Sequence, residues 1–447
     1  MPSRRAGWTA PFELAPSSGS NLAVLDGLRA FAVIAVFARH AWGLAGSPAV
    51  TLPSRWIGLP DVDLTPFVVM CSNGVDLFFV LSGYLLARSF LTADLDGRPA
   101  PSLRRYTRTR LYRVLPGYWF SLAALVLIFL PALSDEKAVF SVHGALAVLG
   151  HIPVLQTVFT FSYGVWGPGS PYWTLTLEIL FYLSLPWAVR LFYGRRAPWA
   201  LLGSLMLTLG WLTMARFWFA GAMSWIADHS ARDGASPAFV RFWLGKQLPG
   251  YAFSFGVGIF VAKVTLLLAR RTRPVPTWLA PASFLCGLAT VAYSMRWLGL
   301  RTLQGTFYDA LVLINTNSFE AKMFYYLEGT SMAVGFGLIV FGLVLGQRSA
   351  WSAPFRMSGL RLVGLLGFGI YLWHMPFLYL YTRLPFLGRM SPMGHWWALM
   401  GLAGVAVLAV SMLSFFVIEK PMILRGRRSS NGGQPTGAET ATVSAPG

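Results

Sequence analysis

Runs of about twenty apolar residues recur along this chain, near 22–45, 67–87, 112–133, 172–193, 198–220, 246–268, 277–297, 325–346, 362–382 and 396–418, each long enough to cross a bilayer as a helix. So many such runs leave little room for any soluble domain. Composition agrees: the 447 residues are 55% hydrophobic and only 12% charged, with a mean hydropathy of +0.57, outside the usual range of soluble domains. Because lipid offers backbone groups no partners, spanning segments of this kind must be helical. The expected fold is all-α, a polytopic integral membrane helix bundle of about ten transmembrane helices.

A further apolar stretch, 141–160, is interrupted by His143, Gly144, Gly150, His151 and Pro153. Charge decides its placement. If it crosses, the basic turn with Arg190, Arg195 and Arg196 falls outside; if it does not, the clusters Arg88 to Arg113, Arg190 to Arg196, Arg270 to Arg273, Arg348 to Arg361 and Arg425 to Arg428 all share the cytoplasmic side. Segment 141–171 is therefore expected to be re-entrant or surface-lying on the outer side, with both termini cytoplasmic. Residues 1–21 and the low-complexity tail within 422–447 are too polar to fold. The membrane domain is expected to span 22–421, in a bacterial inner or plasma membrane.

The net charge of +19 could suggest nucleic acid. Its distribution in short clusters between apolar runs instead satisfies the positive-inside rule, so no nucleic-acid partner is expected. Cys71 and Cys286 lie in apolar runs without metal or disulfide spacing and read as packing residues. The first apolar run contains Asp26 and Arg29, unlike the unbroken core of a signal peptide, and is expected to be an uncleaved first span.

Ionisable residues inside these runs are costly, and they point to function. In "LDGLRAFAVIAVFARHAW", Arg29 and His40 are eleven residues apart, about three turns, so they share a face roughly 16 Å apart along the axis. That spacing suits a groove through the bundle, with Arg29 toward the cytoplasm and His40 toward the outside. Asp76 in "CSNGVDLFFVLSGYLL" requires a partner from another helix, and an Asp–Arg pair would serve. Glu178 lies early in its span and is placed at the depth of His40, where it could act in proton transfer or hold a histidine tautomer. Arg110 and Arg113, one turn apart at the cytoplasmic boundary, offer guanidinium forks suited to phosphate. Pro376 frees the carbonyl of Leu372, which a nearby His374 or Tyr371 could satisfy. His143 and His151 are expected to be solvated.

The ordered set Arg29-x10-His40, "GVDLFFVLSGYLL", Arg110-x2-Arg113-x2-Pro116-x-Tyr118, Trp173-x-Leu175-x2-Glu178, "GIYLWHMPF" and the closing "IEKP" resembles acyltransferase family 3, the integral membrane acyltransferases, over about residues 22–421. The chain departs from the common pattern in having Thr174 where many members have serine. The extracytoplasmic hydrolase-like domain that some members carry does not follow the membrane part here, so the reaction is expected to be completed within the membrane domain. The resemblance implies transfer of an acyl group, often acetyl, from cytoplasmic acyl-coenzyme A to a hydroxyl of a sugar, envelope glycan, lipid-linked glycan or secondary metabolite. It implies His40 as the catalytic histidine with Glu178 assisting, and Arg29, Arg110 and Arg113 on the donor. Asp76, Ser82, Tyr118, Trp173, Tyr371 and His374 would bind substrate or support the site. His40 could deprotonate the acceptor or carry the acyl group itself.

The rival class is a proton-coupled transporter or a flippase of a lipid-linked sugar, which uses the same residue types. No internal repeat supports it. Nor does the sequence hold a Gly-x-Ser-x-Gly elbow around Ser82, a Gly-rich phosphate loop or a metal-ligand cluster, and no metal is expected.

Overall fold

The computed structural model describes Phe12, Ser162 and residues 22–53, 61–133, 141–159, 166–215, 243–303 and 319–431. The segments 1–21 (apart from Phe12) and 432–447, expected to be unstructured, lie outside the described residues. In chain order the helices are α1 (Ala23–Leu44), α2 (Thr65–Met70), α3 (Gly74–Leu95), α4 (Leu103–Ala124), α5 (Leu130–Ala132), α6 (Val142–His151), α7 (Trp173–Ala188) and α8 (Ala197–Thr213). They continue with α9 (Ala252–Ala269), α10 (Leu279–Leu303), α11 (Phe319–Leu345), α12 (Ser358–Leu365), α13 (Gly367–Thr382), α14 (Pro392–Ser414) and α15 (Lys420–Asn431). The strands described are a two-residue antiparallel pair, Thr51–Leu52 with Val62–Asp63. The basic segment after residue 421 continues as helix through Asn431.

Among the described residues, six elements are long and apolar enough to cross a membrane, Thr65–Leu95, Leu103–Ala132, Gly167–Phe192, Leu248–Ala269, Tyr326–Leu345 and Pro392–Arg427, and the pair α12 and α13, bent by 72°, would make a seventh. The expectation was about ten. The difference has local causes. Helix α1 carries Asp26, Arg29, Arg39 and His40, and α10 carries Arg296 and Arg301, while the described residues that follow α8 end at 215. Polar residues are tolerated in α1 because it packs against α3, α11, α12, α13 and α14, while Phe31 and Ile34 project outward. At the periphery, Leu127, Val405 and Leu413 project outward, as residues facing lipid would.

The helix α6 has ten residues, about 15 Å of rise against the ~30 Å hydrocarbon core, and is too short to cross. It is tied back into the bundle. Tyr118 Oη donates to the His151 carbonyl at 2.9 Å and Trp119 Nε1 to that of Ile152 at 2.8 Å. His151, expected to be solvated, is instead buried: its Nδ1 lies 2.8 Å from the Ala147 carbonyl, and its ring packs on Trp166. Burial pushes its pKa down to about 4. The side chain of His143 lies outside the described residues.

Helices α3 and α9 approach backbone to backbone, because Gly83 lies on the Phe255 carbonyl and Gly258 on that of Val80, where any Cβ would collide. The pair is locked at one end by Lys263 Nζ and Asp94 Oδ2, 2.9 Å apart, with the lysine side chain 3% exposed. Removing one partner of such a pair strands the other charge, so Asp94→Asn is expected to destabilise the bundle by about 3–5 kcal/mol. Lys263→Met together with Asp94→Leu should recover much of that loss. Thermal unfolding of the purified protein in detergent checks both; equal stability of Asp94→Asn and wild type would contradict this role.

Candidate active site

The central helix α1 presents its polar residues at two levels. At the lower, Arg29 lies 3.5 Å from Asp26, one turn earlier. At the upper, Arg39 is engaged structurally: its Nε donates to the Val69 carbonyl at 3.1 Å and its guanidinium covers the Trp42 ring. His40 is left for chemistry. Its Nδ1 lies 3.0 Å from Nε2 of His374 on α13, and the two rings stack with centroids 5.1 Å apart.

The second contact of His374 fixes the direction of this hydrogen bond. Its Nδ1 is 2.7 Å from the Tyr371 carbonyl, which only accepts, so Nδ1 carries the proton. In a neutral ring Nε2 then accepts. His40 Nδ1–H must be the donor, leaving the Nε2 lone pair of His40 as a base or nucleophile. A histidine buried to 1% exposure thus does for His40 what a carboxylate does in a catalytic triad: it selects the tautomer. His374 does not serve the carbonyl freed by Pro376; Tyr172 Oη donates to that Leu372 oxygen at 3.3 Å.

Below the pair, Thr174 Oγ1 donates to Tyr371 Oη at 2.8 Å, and Tyr371 Oη donates to the Pro171 carbonyl at 2.6 Å. Glu178 follows one turn deeper on α7 and accepts a hydrogen bond from Tyr182. Its carboxylate lies within electrostatic range of Arg29, Arg110 and Tyr371. The charged and titratable groups facing His40 are His374 and Arg39. Glu178 was expected at the depth of His40; the Thr174 contact sets the register of α7 on α13 so that Glu178 falls at the level of Arg29 instead.

The lower level gathers cations. Arg113 lies within electrostatic range of Arg29, Arg110 and Arg427, the last reached from α15. Arg110 sits over the Tyr106 ring, and its Nε is buried without a hydrogen-bond partner among the described residues. Like charges repel at this spacing, and a buried unpaired donor is costly. Such a group is best satisfied by an anion with several acceptor oxygens. Read as a sequence, Arg427 was one member of a cytoplasmic basic cluster; only the path of α15 back along α4 brings it here.

Other expected site residues fall elsewhere. Asp76 is buried, accepts from Ser254 Oγ at 3.3 Å, and has Lys246 and Glu328 in electrostatic range, with no arginine facing it among the described residues. Trp173 lies under Lys246, 5.4 Å from its ring centre. Tyr118 clamps α6 as described. Ser82 is half-buried and makes no hydrogen bond among the described residues.

Residues 22–416 match the acyltransferase domain model of acyltransferase family 3. The chain belongs to this family. It is 24% identical over 413 residues to a peptidoglycan O-acetyltransferase of Listeria monocytogenes, covering 90% of the chain and 56% of the relative. It is 27% identical over 425 residues to nodulation protein 10 of Rhizobium leguminosarum, covering 89% and 92%. It is 28% identical over 201 residues to an O-acetyltransferase of Staphylococcus aureus, covering 43% and 29%. The chain thus spans about half the length of the Listeria relative and most of the Rhizobium one. No solved structure matches it.

Proposed function

We propose that this family member is an O-acyltransferase that moves an acyl group, acetyl in the first instance, from cytoplasmic acyl-coenzyme A to a hydroxyl of a carbohydrate acceptor. The observation that carries the reading is one polar column with an oriented histidine pair at one end and converging arginines at the other. Relatives named as O-acetyltransferases, one of them acting on peptidoglycan, support a glycan acceptor.

In the proposed step the acceptor O–H gives its proton to His40 Nε2 while its oxygen attacks the thioester carbonyl carbon. The C–S bond then breaks, and the imidazolium returns the proton to the leaving thiolate. The products are the acyl ester and coenzyme A thiol. His374 holds the His40 tautomer throughout. Arg29, Arg110 and Arg113 bind the phosphates of the donor, and Glu178 with Tyr182 positions Arg29. Release of coenzyme A thiol by the purified protein tests the reading against a transporter or flippase, which would neither bind nor cleave acetyl-coenzyme A. The acceptor is found as the envelope glycan or small metabolite that loses an acyl mass in a deletion strain.

The donor assignment makes a sharper expectation. Arg113→Lys keeps the charge and loses the fork, so affinity for coenzyme A should fall about tenfold or more; unchanged affinity by calorimetry would return Arg113 to the positive-inside pattern. The proposed orientation, with both termini cytoplasmic, places a reporter fused at Gly194 inside and one fused at Gly388 outside. The reverse pair of readings would invert the donor and acceptor ends.

A further inference from the structure

The closing "IEKP" contains a carboxylate that the mechanism above does not use. Glu419 is 6% exposed, an expensive position for a carboxylate unless it is held by donors or cations. Four features show how the chain places it there. Between α14 and α15 the helix widens into a single π turn, Phe415–Glu419. The extra residue resets the helical phase by about 100°. Val417 is left facing outward at 59% exposure while Glu419 turns into the bundle. The carboxylate Oε1 accepts from Ser414 Oγ at 3.2 Å. It enters a slot between two glycines on different helices: a Cβ on Gly117 of α4 would lie 3.2 Å from Glu419 Cγ, and one on Gly369 of α13 would lie 3.4 Å from Oε1. Finally, Arg113 stands one turn before Gly117 on the same face of α4, within electrostatic range of the carboxylate.

From this geometry we infer that Glu419 is a positioning residue for Arg113, holding its guanidinium turned into the column against the repulsion of Arg29, Arg110 and Arg427. Without a fixed anion, those three cations drive a long, flexible side chain outward toward water. With Glu419 seated between the glycines, the fork is held in place before the donor arrives. Pre-organisation of this kind lowers the ordering cost of binding. The inference rests on the donor role proposed for Arg113.

The test is a double-mutant cycle on the full chain in nanodiscs, read by calorimetric titration with coenzyme A. Glu419→Gln should weaken binding about tenfold, the scale of a through-space carboxylate–guanidinium attraction in a part-buried setting. In an Arg113→Ala background the same change should have no further effect. If Arg113→Ala binds coenzyme A as wild type does, the donor reading fails and this inference with it. If Arg113→Ala weakens binding but Glu419→Gln does not, or if the two losses add, the positioning role alone is overturned. Should Glu419→Gln fail to accumulate, Gly117→Ala, which keeps the carboxylate and crowds its slot, carries the same expectation and is overturned by the same unchanged affinity.

Discussion

Acyl transfer by His40→Ala is expected to fall by about 10²–10⁴, the range of a lost general base, while coenzyme A affinity stays near the wild-type value. The separation of the two ends of α1 is the reason: His40 lies eleven residues, roughly 16 Å of helix, from Arg29. His374 provides the graded control. In His374→Phe the ring volume remains but His40 Nδ1 loses its acceptor, so the tautomer is no longer selected and the rate should fall, though less than in His40→Ala. His374→Gln places an amide oxygen where Nε2 was and should recover much of the loss. Thiol release at saturating donor measures all three. Wild-type rates in His40→Ala, or equal loss in His374→Phe and His374→Gln, would remove the tautomer argument.

What could be read along the chain depended on how local the determinant was. The shared face of Arg29 and His40 was legible because one continuous helix connects them. The short α6 was legible too, since His143, Gly144, Gly150, His151 and Pro153 break its pattern. The partner of His40 was not, because 334 residues separate it from His374 and no pattern in either segment encodes the pairing. Pro376 marked a free carbonyl correctly, but the group that satisfies it, Tyr172, comes from another helix. Glu178 was misplaced in depth for a related reason. Its distance from the start of α7 is readable, yet the register of α7 against α13 is set by Thr174 and Tyr371. Glu419 was hidden because a π turn changes the facing of every residue after it, and periodicity assumes that no such turn occurs. The expected ten spans and the six elements that pass on length and apolarity part where helices such as α1 pack within the bundle and can carry charge, so apolarity no longer tracks depth.

The level assigned to Glu178 makes a second large effect expected, of a different kind from loss of the base. Arg29→Ala removes a cation that faces Asp26, Glu178 and Arg113 together, leaving carboxylates at the entrance that a polyanionic donor must approach. Coenzyme A affinity should fall by at least the tenfold expected of Arg113→Lys, and more at low ionic strength, where repulsion between these carboxylates and an incoming polyanion is screened least. Glu178→Gln has the opposite electrostatic sign. The amide can still accept from Tyr182, but Arg29 loses the anion that orients it, and that loss outweighs the removal of a competing negative charge, so donor affinity should fall. A carboxylate that served His40 would behave otherwise: Glu178→Gln would then leave donor affinity untouched and move the pH dependence of turnover. Titration with coenzyme A, together with the pH profile of thiol release for Glu178→Gln, decides between the two. A shifted profile at constant affinity would return Glu178 to the histidine end of the column, against the register that Thr174 and Tyr371 impose.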